Sequence, residues 1–346
     1  MVIGDMTTQT LGESRALPSL QAGRAFAALA VLAFHVSGLL ELPKYGATHF
    51  ARSWLISGGL GVDFFFILSG FIILHAHAGD IGKPQALGRY LYRRFSRIYP
   101  IYWVYLTLIL AVMLAFGHRY GWAEIVSNYS LLGPRPNGNI LAPAGTLYHE
   151  VAFYLLFALA ILSRKLGTAV LVLWLSTILF IHHDDPFTSR RDLEFIIGMA
   201  ARFLAFRIPA RHYRLPLIAG AALVALTLWT NHTDMTTSPH FTGLVEATSA
   251  LLILGCAMAD QVKAWPVPKL LQYLGDASYT LYLTHLAFLS MFLKLLSQTG
   301  LLSTAPLPVT ILALIVLSTV CGAVLYSMLE HPLLMAIRGK RSPARA

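Results

Sequence analysis

The sequence contains repeated apolar runs that are long enough to cross a lipid bilayer, and this feature leaves few folds open to the chain. Of its 346 residues, 56% are hydrophobic and only 12% are charged, whereas soluble domains carry about a quarter charged residues. A membrane-spanning helix needs about 20 mostly apolar residues. The sequence therefore predicts an all-α integral membrane protein, a polytopic bundle of about ten helices. The predicted helices lie at about 21–41, 54–77, 98–117, 146–163, 167–182, 192–207, 215–231, 241–260, 277–297 and 307–329.

The basic residues are distributed unevenly between the two sides of these predicted helices. The formal net charge is +10, and seventeen lysines and arginines outside the helices fall on the side of the N-terminus, against six on the other side. Cytoplasmic loops of membrane proteins are enriched in lysine and arginine. The pattern predicts that both termini are cytoplasmic. It also accounts for the basic charge without nucleic acid as a partner, and some of these residues would contact anionic membrane lipids. The last predicted helix ends in SMLEHPL, so we expect Glu330 and His331 at the inner surface and Pro332 at the end of the helix.

The first predicted helix carries two ionisable residues, Arg24 and His35, within an apolar stretch from Leu20 to Leu42. A spacing of eleven residues is about three helical turns, so both side chains lie on nearly the same face, roughly 16 Å apart along the axis. Ionisable residues inside a membrane face protein or a water-filled cavity and indicate function. The pair therefore predicts a polar path into the membrane.

The second predicted helix contains Asp63 and Ser69 in the sequence GVDFFFILSGF. An unpaired carboxylate is disfavoured in hydrocarbon. Asp63 could lie at the depth of His35 and orient its imidazole, or it could cap neighbouring backbone groups.

Three arginines, Arg93, Arg94 and Arg97, lie in the segment RRFSRIYP, which we predict to be an inner loop before the third helix. Guanidinium groups are suited to bidentate phosphate recognition. The cluster could therefore bind a nucleotide-like phosphate group, although the loop taken alone is better explained by ordinary anchoring at the cytoplasmic surface.

The fourth predicted helix begins with a polar group of residues. Glu150 and Tyr154 lie four residues apart and so share one helix face. Glu150 could act as a base, hydrogen-bond an acceptor molecule, or pair with Arg190 or Arg191.

Histidines occur in two further places. His285 lies in the ninth predicted helix and could simply be hydrogen-bonded to a neighbouring helix, while Ser278 and Thr280 are expected to cap the start of that helix. The sequence HHDD at 182–185 has metal-binding side chains. Adjacent residues of this kind on a short loop are more typical of a solvated segment, so no metal site is expected.

Together these segments resemble the acyltransferase 3 family of membrane acyltransferases. The matching features are Arg24 and His35 with ten residues between them, GVDFFFILSGF, RRFSRIYP, TLYHEVAFYLLF, LGDASYTLYLTHL and LEHPL, and they cover residues 20–333 in order. Two positions depart from the family pattern: Gln21, where an acidic residue is common, and Gly145, where an aromatic residue often precedes the TLYHE-like motif. The resemblance implies a cytoplasmic N-terminal segment at 1–19, a transmembrane acyltransferase domain at 20–333 and a basic cytoplasmic tail at 334–346.

The resemblance also implies an activity and a set of roles. Members of the family are O-acyltransferases that move an acyl group, usually acetyl from cytoplasmic acetyl-CoA, to an extracytoplasmic or lipid-linked glycan, and the expected location is the bacterial inner membrane. The acyl-CoA would be a substrate, with no permanently bound cofactor. The residues expected to bind its phosphates are Arg24, Arg93, Arg94 and Arg97. The expected catalytic residues are His35, as base or transient acyl carrier, with Asp63 and Glu150 as its partners. Ser69, Tyr154 and His285 would contact substrate or support the site.

The alternative is a secondary transporter or proton-coupled flippase, because Asp, Glu and His residues in membranes also form proton relays. The arginine cluster discriminates between the two functions, since a transporter needs no acyl-CoA site.

Overall fold

The structure is a computed structural model that describes residues 17–45, 55–133, 138–180, 189–231 and 239–338. Within these ranges all regular secondary structure is helical. The helices are α1 (Pro18–Leu40), α2 (Leu60–His77), α3 (Leu87–Ala115), α4 (Trp122–Ser130), α5 (Gly145–Leu162), α6 (Arg164–Phe180), α7 (Leu193–Ala205), α8 (Arg214–Asn231), α9 (Pro239–Gln261), α10 (Lys269–Asp276), α11 (Ser278–Gln298), α12 (Leu301–Thr304), α13 (Leu307–Leu325) and α14 (His331–Arg338).

The all-α membrane bundle predicted from the apolar runs is confirmed. Eight helical segments of the described ranges are long and apolar enough to cross a membrane. The fifth and sixth predicted spans correspond to α6 and α7, which have 17 and 13 residues and are shorter than a typical span. The HHDD sequence at 182–185 lies outside the described residues. The count of ten spans and the cytoplasmic side of the termini stay predictions.

The segment RRFSRIYP belongs to a helix, and its prediction as a loop is wrong. Helix α3 begins at Leu87 and continues through Pro100 for 29 residues in all. Proline lacks the N–H that would bond the carbonyl of Ser96, and for this reason it normally marks a helix start rather than an interior. The helical geometry has a consequence for the arginines. Arg94 and Arg97, three residues apart, lie on one face, whereas the side chain of Arg93 is exposed.

Helix α1 occupies the centre of the bundle, where it packs against α2, α9, α10, α11 and α13. Helices α2 and α7 approach each other closely through a pair of glycines. A Cβ atom on Gly70 would lie 2.0 Å from the carbonyl oxygen of Phe195, and one on Gly198 would lie 1.9 Å from that of Ile67. Small residues at such crossings let helix backbones come together in membrane proteins. The glycines thus hold α7 against the helix that forms one wall of the site described below.

We expect the Gly198→Ala variant to be less stable than the wild-type protein. The added methyl group overlaps backbone, which side-chain rotation cannot relieve, and overpacking of this kind costs about 1–3 kcal/mol. Thermal unfolding of the detergent-solubilised protein should show a lower melting temperature. Gly88→Ala is the matched control, because a Cβ atom there meets nothing within 4 Å. Equal melting temperatures for the two variants would contradict the close crossing of α2 and α7.

Candidate active site

A cavity of about 410 Å³ lies between α1, α2, α3, α5 and α11. Six of the ten predicted site residues line it, although they come from four separate helices: Arg24, Ser69, Arg94, Arg97, Glu150 and Tyr154. The apolar part of the lining includes Leu20, Phe65 and Ile72. A mainly apolar pocket with a few convergent polar groups is the usual form of a small-molecule site.

Arg24 is held at the cavity wall by two hydrogen bonds. It donates from Nη1 to Oε1 of Gln21 at 3.2 Å and from Nη2 to Oγ of Ser278 at 2.9 Å. The amide of Gln21 in turn donates to Oδ1 of Asp276 at 3.0 Å. Gln21, which replaces the acidic residue common in the family, therefore links Arg24 to a carboxylate without adding a charge of its own.

The cavity brings three guanidinium groups together, with carboxylates such as those of Glu330 and Glu150 within electrostatic range of Arg24 but not in direct contact with it. Arg24 and Arg97 lie within electrostatic range of each other, and Nε of Arg94 is buried with no hydrogen-bond partner in the described parts of the chain. Within those parts, none of Arg24, Arg94 and Arg97 has a carboxylate oxygen within 4.0 Å. Like charges that converge on a cavity with spare donors favour a bound anion. Arg93 does not line this cavity, so its role in donor binding stays a prediction.

Glu150 lies on the cavity wall with its carboxylate fixed by two hydroxyl groups. Ser69 donates to Oε1 of Glu150 at 3.3 Å, and the hydroxyl of Tyr154 donates to the same oxygen. The backbone at Tyr154 is held in turn by Tyr90, whose hydroxyl donates a hydrogen bond to the carbonyl oxygen of Tyr154 at 3.0 Å. The alternative that Glu150 pairs with Arg190 or Arg191 is not observed among the described residues, and Arg190 lies 3.9 Å from Glu246 instead. Glu150 thus presents a positioned carboxylate to the cavity.

Glu330 is a residue of this region that sequence reasoning placed at the inner surface. It is only 3% exposed, it accepts a hydrogen bond from Oγ1 of Thr280 at 2.6 Å, and it lies within electrostatic range of Arg24 and Arg97. Thr280 therefore bonds Glu330, and Ser278 bonds Arg24. The expectation that these two residues cap α11 is wrong, because the N-cap residue is Ala277 and no side-chain hydrogen bond caps the helix there. The motif LEHPL, which contains Glu330, is the sequence feature that could have pointed to this residue as part of the site.

His35 and His285 lie side by side and do not line the cavity. Their ring centroids are 4.9 Å apart. His285 contacts the ring of Tyr282 at a centroid distance of 5.7 Å, and Tyr282 is part of the cavity wall, where its hydroxyl bonds Oγ1 of Thr146 at 3.0 Å. The two imidazoles are therefore joined to the cavity through Tyr282.

Asp63 faces a different part of the bundle, which corrects the expectation that it orients His35. Its carboxyl group hydrogen-bonds with Glu194 of α7 and lies within electrostatic range of Arg191. Asp63 and Ser69 are six residues apart, about 240° around α2 at 3.6 residues per turn, so they face different neighbours. Ser69 reaches the cavity, whereas Asp63 does not line it.

Comparison with known proteins identifies the family. The model of the family described as "Acyltransferase domain" matches residues 17–328. The chain is 30% identical to the exopolysaccharide production protein ExoZ of Rhizobium meliloti, over 83% of this chain and 93% of that protein.

Two further relatives are acyltransferases by name. The acyltransferase MdmB of Streptomyces mycarofaciens is 27% identical, over 94% of both chains. The peptidoglycan O-acetyltransferase OatA of Listeria monocytogenes is 25% identical over 82% of this chain but only 51% of its own length. No solved structure matches the chain. The family match and the spanning helices together show that this chain is a membrane protein of the acyltransferase family that its motifs resemble.

Proposed function

We propose that this protein transfers an acyl group, in the first instance acetyl, from cytoplasmic acyl-CoA to a hydroxyl group of an extracytoplasmic or lipid-linked glycan. The observation that carries the proposal is the convergence of Arg24, Arg94 and Arg97 on one cavity of the bundle. The bacterial inner membrane is the proposed location, with both termini on the cytoplasmic side.

The arginine-lined cavity fits the phosphates of coenzyme A. The diphosphate and the 3′-phosphate of this carrier are multivalent anions, and guanidinium groups bind phosphate through paired, charge-assisted hydrogen bonds. A volume of about 410 Å³ is in the usual range for small-molecule pockets and suits part of so long a donor. The apolar lining provides a surface for the pantetheine arm.

The proposed transfer uses His35 as the general base. The acceptor hydroxyl attacks the thioester carbonyl while a ring nitrogen of His35 takes its proton. A carbon–oxygen bond forms, the carbon–sulfur bond breaks, and the proton passes from His35 to the thiolate of coenzyme A. The acyl end of the donor is proposed to pass Tyr282, whose ring contacts His285, in order to reach His35. Rotation of that side chain breaks its hydrogen bond with Thr146, at a cost of about 0.5–1.5 kcal/mol.

Glu150 is proposed to bind substrate rather than to take the proton. Its carboxylate lies on the cavity wall and is fixed by Ser69 and Tyr154. A carboxylate in this position can accept a hydrogen bond from a substrate and balances part of the arginine charge. These two effects would orient the donor between the arginines and Tyr282.

The proposal of a glycan acceptor is supported by the relatives. One is named for exopolysaccharide production and another for O-acetylation of peptidoglycan. Both names refer to polymers that lie outside the cytoplasm and present sugar hydroxyls. We extend this class of acceptor to the present chain.

The full-length protein in nanodiscs, supplied with acetyl-labelled acetyl-CoA and a glycan extract from a bacterial cell envelope, tests the proposal. We expect release of free coenzyme A together with transfer of label to an alkali-labile ester in the glycan fraction. Empty nanodiscs are the control. If the protein neither binds nor consumes acetyl-CoA or longer acyl-CoA donors, the proposed function is wrong, and a transporter would become the better explanation.

A further inference from the structure

We propose that His285 is the positioning residue for His35, and that it accepts a hydrogen bond from the N–H of His35 during acyl transfer. The inference rests on the proposed function and deepens it, because it assigns a partner to the base. It is carried by the contact of the two imidazoles and by an unused ring nitrogen of His285.

The hydrogen bonding of His285 fixes its tautomer. Its Nδ1 lies 2.6 Å from the backbone carbonyl oxygen of Tyr282, and a carbonyl oxygen can only accept, so Nδ1 carries the hydrogen. A neutral imidazole with hydrogen on Nδ1 has a lone pair on Nε2. His285 is therefore set up as a hydrogen-bond acceptor at Nε2.

The acceptor nitrogen of His285 is buried and unused. His285 is 3% exposed, and its Nε2 has no hydrogen-bond partner within the ranges that the structure describes. An unmade hydrogen bond at a buried polar atom costs free energy. The neighbouring ring is that of His35, at a centroid distance of 4.9 Å and an interplanar angle of 39°. At this separation of the rings we infer that rotation of the His35 side chain can direct an N–H toward Nε2 of His285.

In this arrangement His285 orients His35, as the third residue of a catalytic triad orients the triad histidine. The base needs one ring nitrogen free to take the proton, and a partner on the other nitrogen selects that tautomer and stabilises the imidazolium that forms. With the N–H of His35 donated to His285, the second nitrogen of His35 presents its lone pair to the acceptor hydroxyl. Asp63, the carboxylate first expected in this role, is engaged by Glu194, which leaves His285 as the partner that the described geometry offers.

Two substitutions of His285 separate positioning from packing. His285→Gln places an amide oxygen at the reach of Nε2 and keeps an acceptor for His35. His285→Asn places an amide N–H at the reach of Nδ1, so it keeps the bond to Tyr282 and loses the acceptor. Both are polar amides of reduced volume, and size alone also ranks Gln above Asn, so the discriminating result is a loss of kcat with KM and acetyl-CoA binding unchanged. His118→Asn is the matched control, because His118 is exposed in the loop between α3 and α4.

The measurements are kcat and KM for acetyl-CoA in nanodiscs, together with acetyl-CoA binding as a check that each variant is folded. For His285→Asn we expect kcat to fall about a hundredfold with KM and binding within about threefold of wild type, since the loss affects proton transfer alone. His285→Gln should keep kcat within about tenfold of wild type, and His118→Asn should match wild type.

Two outcomes would overturn the proposal: equal kcat for the Gln and Asn variants, or a loss of acetyl-CoA binding that accounts for the loss of rate. Failure of the proposed function would look different, because the wild-type protein itself would then transfer no acyl group.

Discussion

Replacing Arg94 and Arg97 together by alanine is expected to weaken acetyl-CoA binding by at least about a hundredfold. Both guanidinium groups line the cavity, and hydrogen bonds to charged groups contribute about 1.5–3 kcal/mol each, so the loss of two amounts to roughly two to four powers of ten in Kd. Equilibrium binding of labelled acetyl-CoA to the protein in nanodiscs measures this directly. The effect should appear in Kd and KM, because it removes a contact made with the donor before and during reaction.

The matched control for this double variant is Arg89→Ala on the same helix. Arg89 is 58% exposed, lies 3.3 Å from Asp80 and is not part of the cavity lining. If positive charge on α3 served only to anchor the helix at the cytoplasmic surface, all three arginines would be equivalent. Donor affinity that survives the double substitution would exclude the cavity as the acyl-CoA site.

Much of the fold and part of the site could be predicted, because the apolar runs of a membrane protein and the ionisable residues within them are visible in its sequence. Apolar runs give helices directly, and the cost of an ionisable group in hydrocarbon singles out residues such as Arg24 and Glu150. Arg94 was singled out because a guanidinium group suits phosphate binding. These three do line one cavity. The i and i+4 spacing of Glu150 and Tyr154 likewise led to an observed hydrogen bond.

The errors arose where tertiary packing overrides a local signal. Pro100 indicated a helix start, yet α3 continues through it because flanking residues such as Leu91 and Arg94 favour helix and packing holds both halves. Pro332 was expected to end the last helix. A π-helical turn at Tyr326–Glu330 instead leads directly into α14, where Pro332 occupies the second position and needs no N–H bond.

The partners of buried polar groups were the hardest features to predict. Asp63 and His35 were paired by depth in the membrane alone, but the face of α2 that carries Asp63 is turned toward α7. Glu330 was placed at the surface because it ends an apolar run, whereas the π-helical turn brings its carboxylate to Thr280. Depth along a helix can be read from sequence; rotation about the helix axis and the identity of the neighbouring helix require the packed bundle.

His35→Ala is expected to lower kcat for acyl transfer by about 10²–10⁴-fold, the range that a positioned general base contributes. Donor affinity should stay near that of wild type, because His35 contacts His285 and does not line the arginine cavity. The measurement is transfer of label from acetyl-CoA to glycan under multiple turnover, with Kd for acetyl-CoA determined in the same nanodisc preparation. His118→Ala is the control for removal of an exposed imidazole.

The His35 and arginine variants together form a stronger test than either alone. The structure separates the two groups of residues, with three guanidinium groups on the cavity wall and the imidazole pair outside the cavity lining, where His285 contacts Tyr282. An acyltransferase should therefore lose kcat in one variant and donor binding in the other. A proton-coupled transporter would depend on His35 for movement of its cargo and would be indifferent to acetyl-CoA in every variant. If His35→Ala retained wild-type kcat, the base would have to lie elsewhere, and Glu150, the carboxylate fixed on the cavity wall, would be the next residue to test.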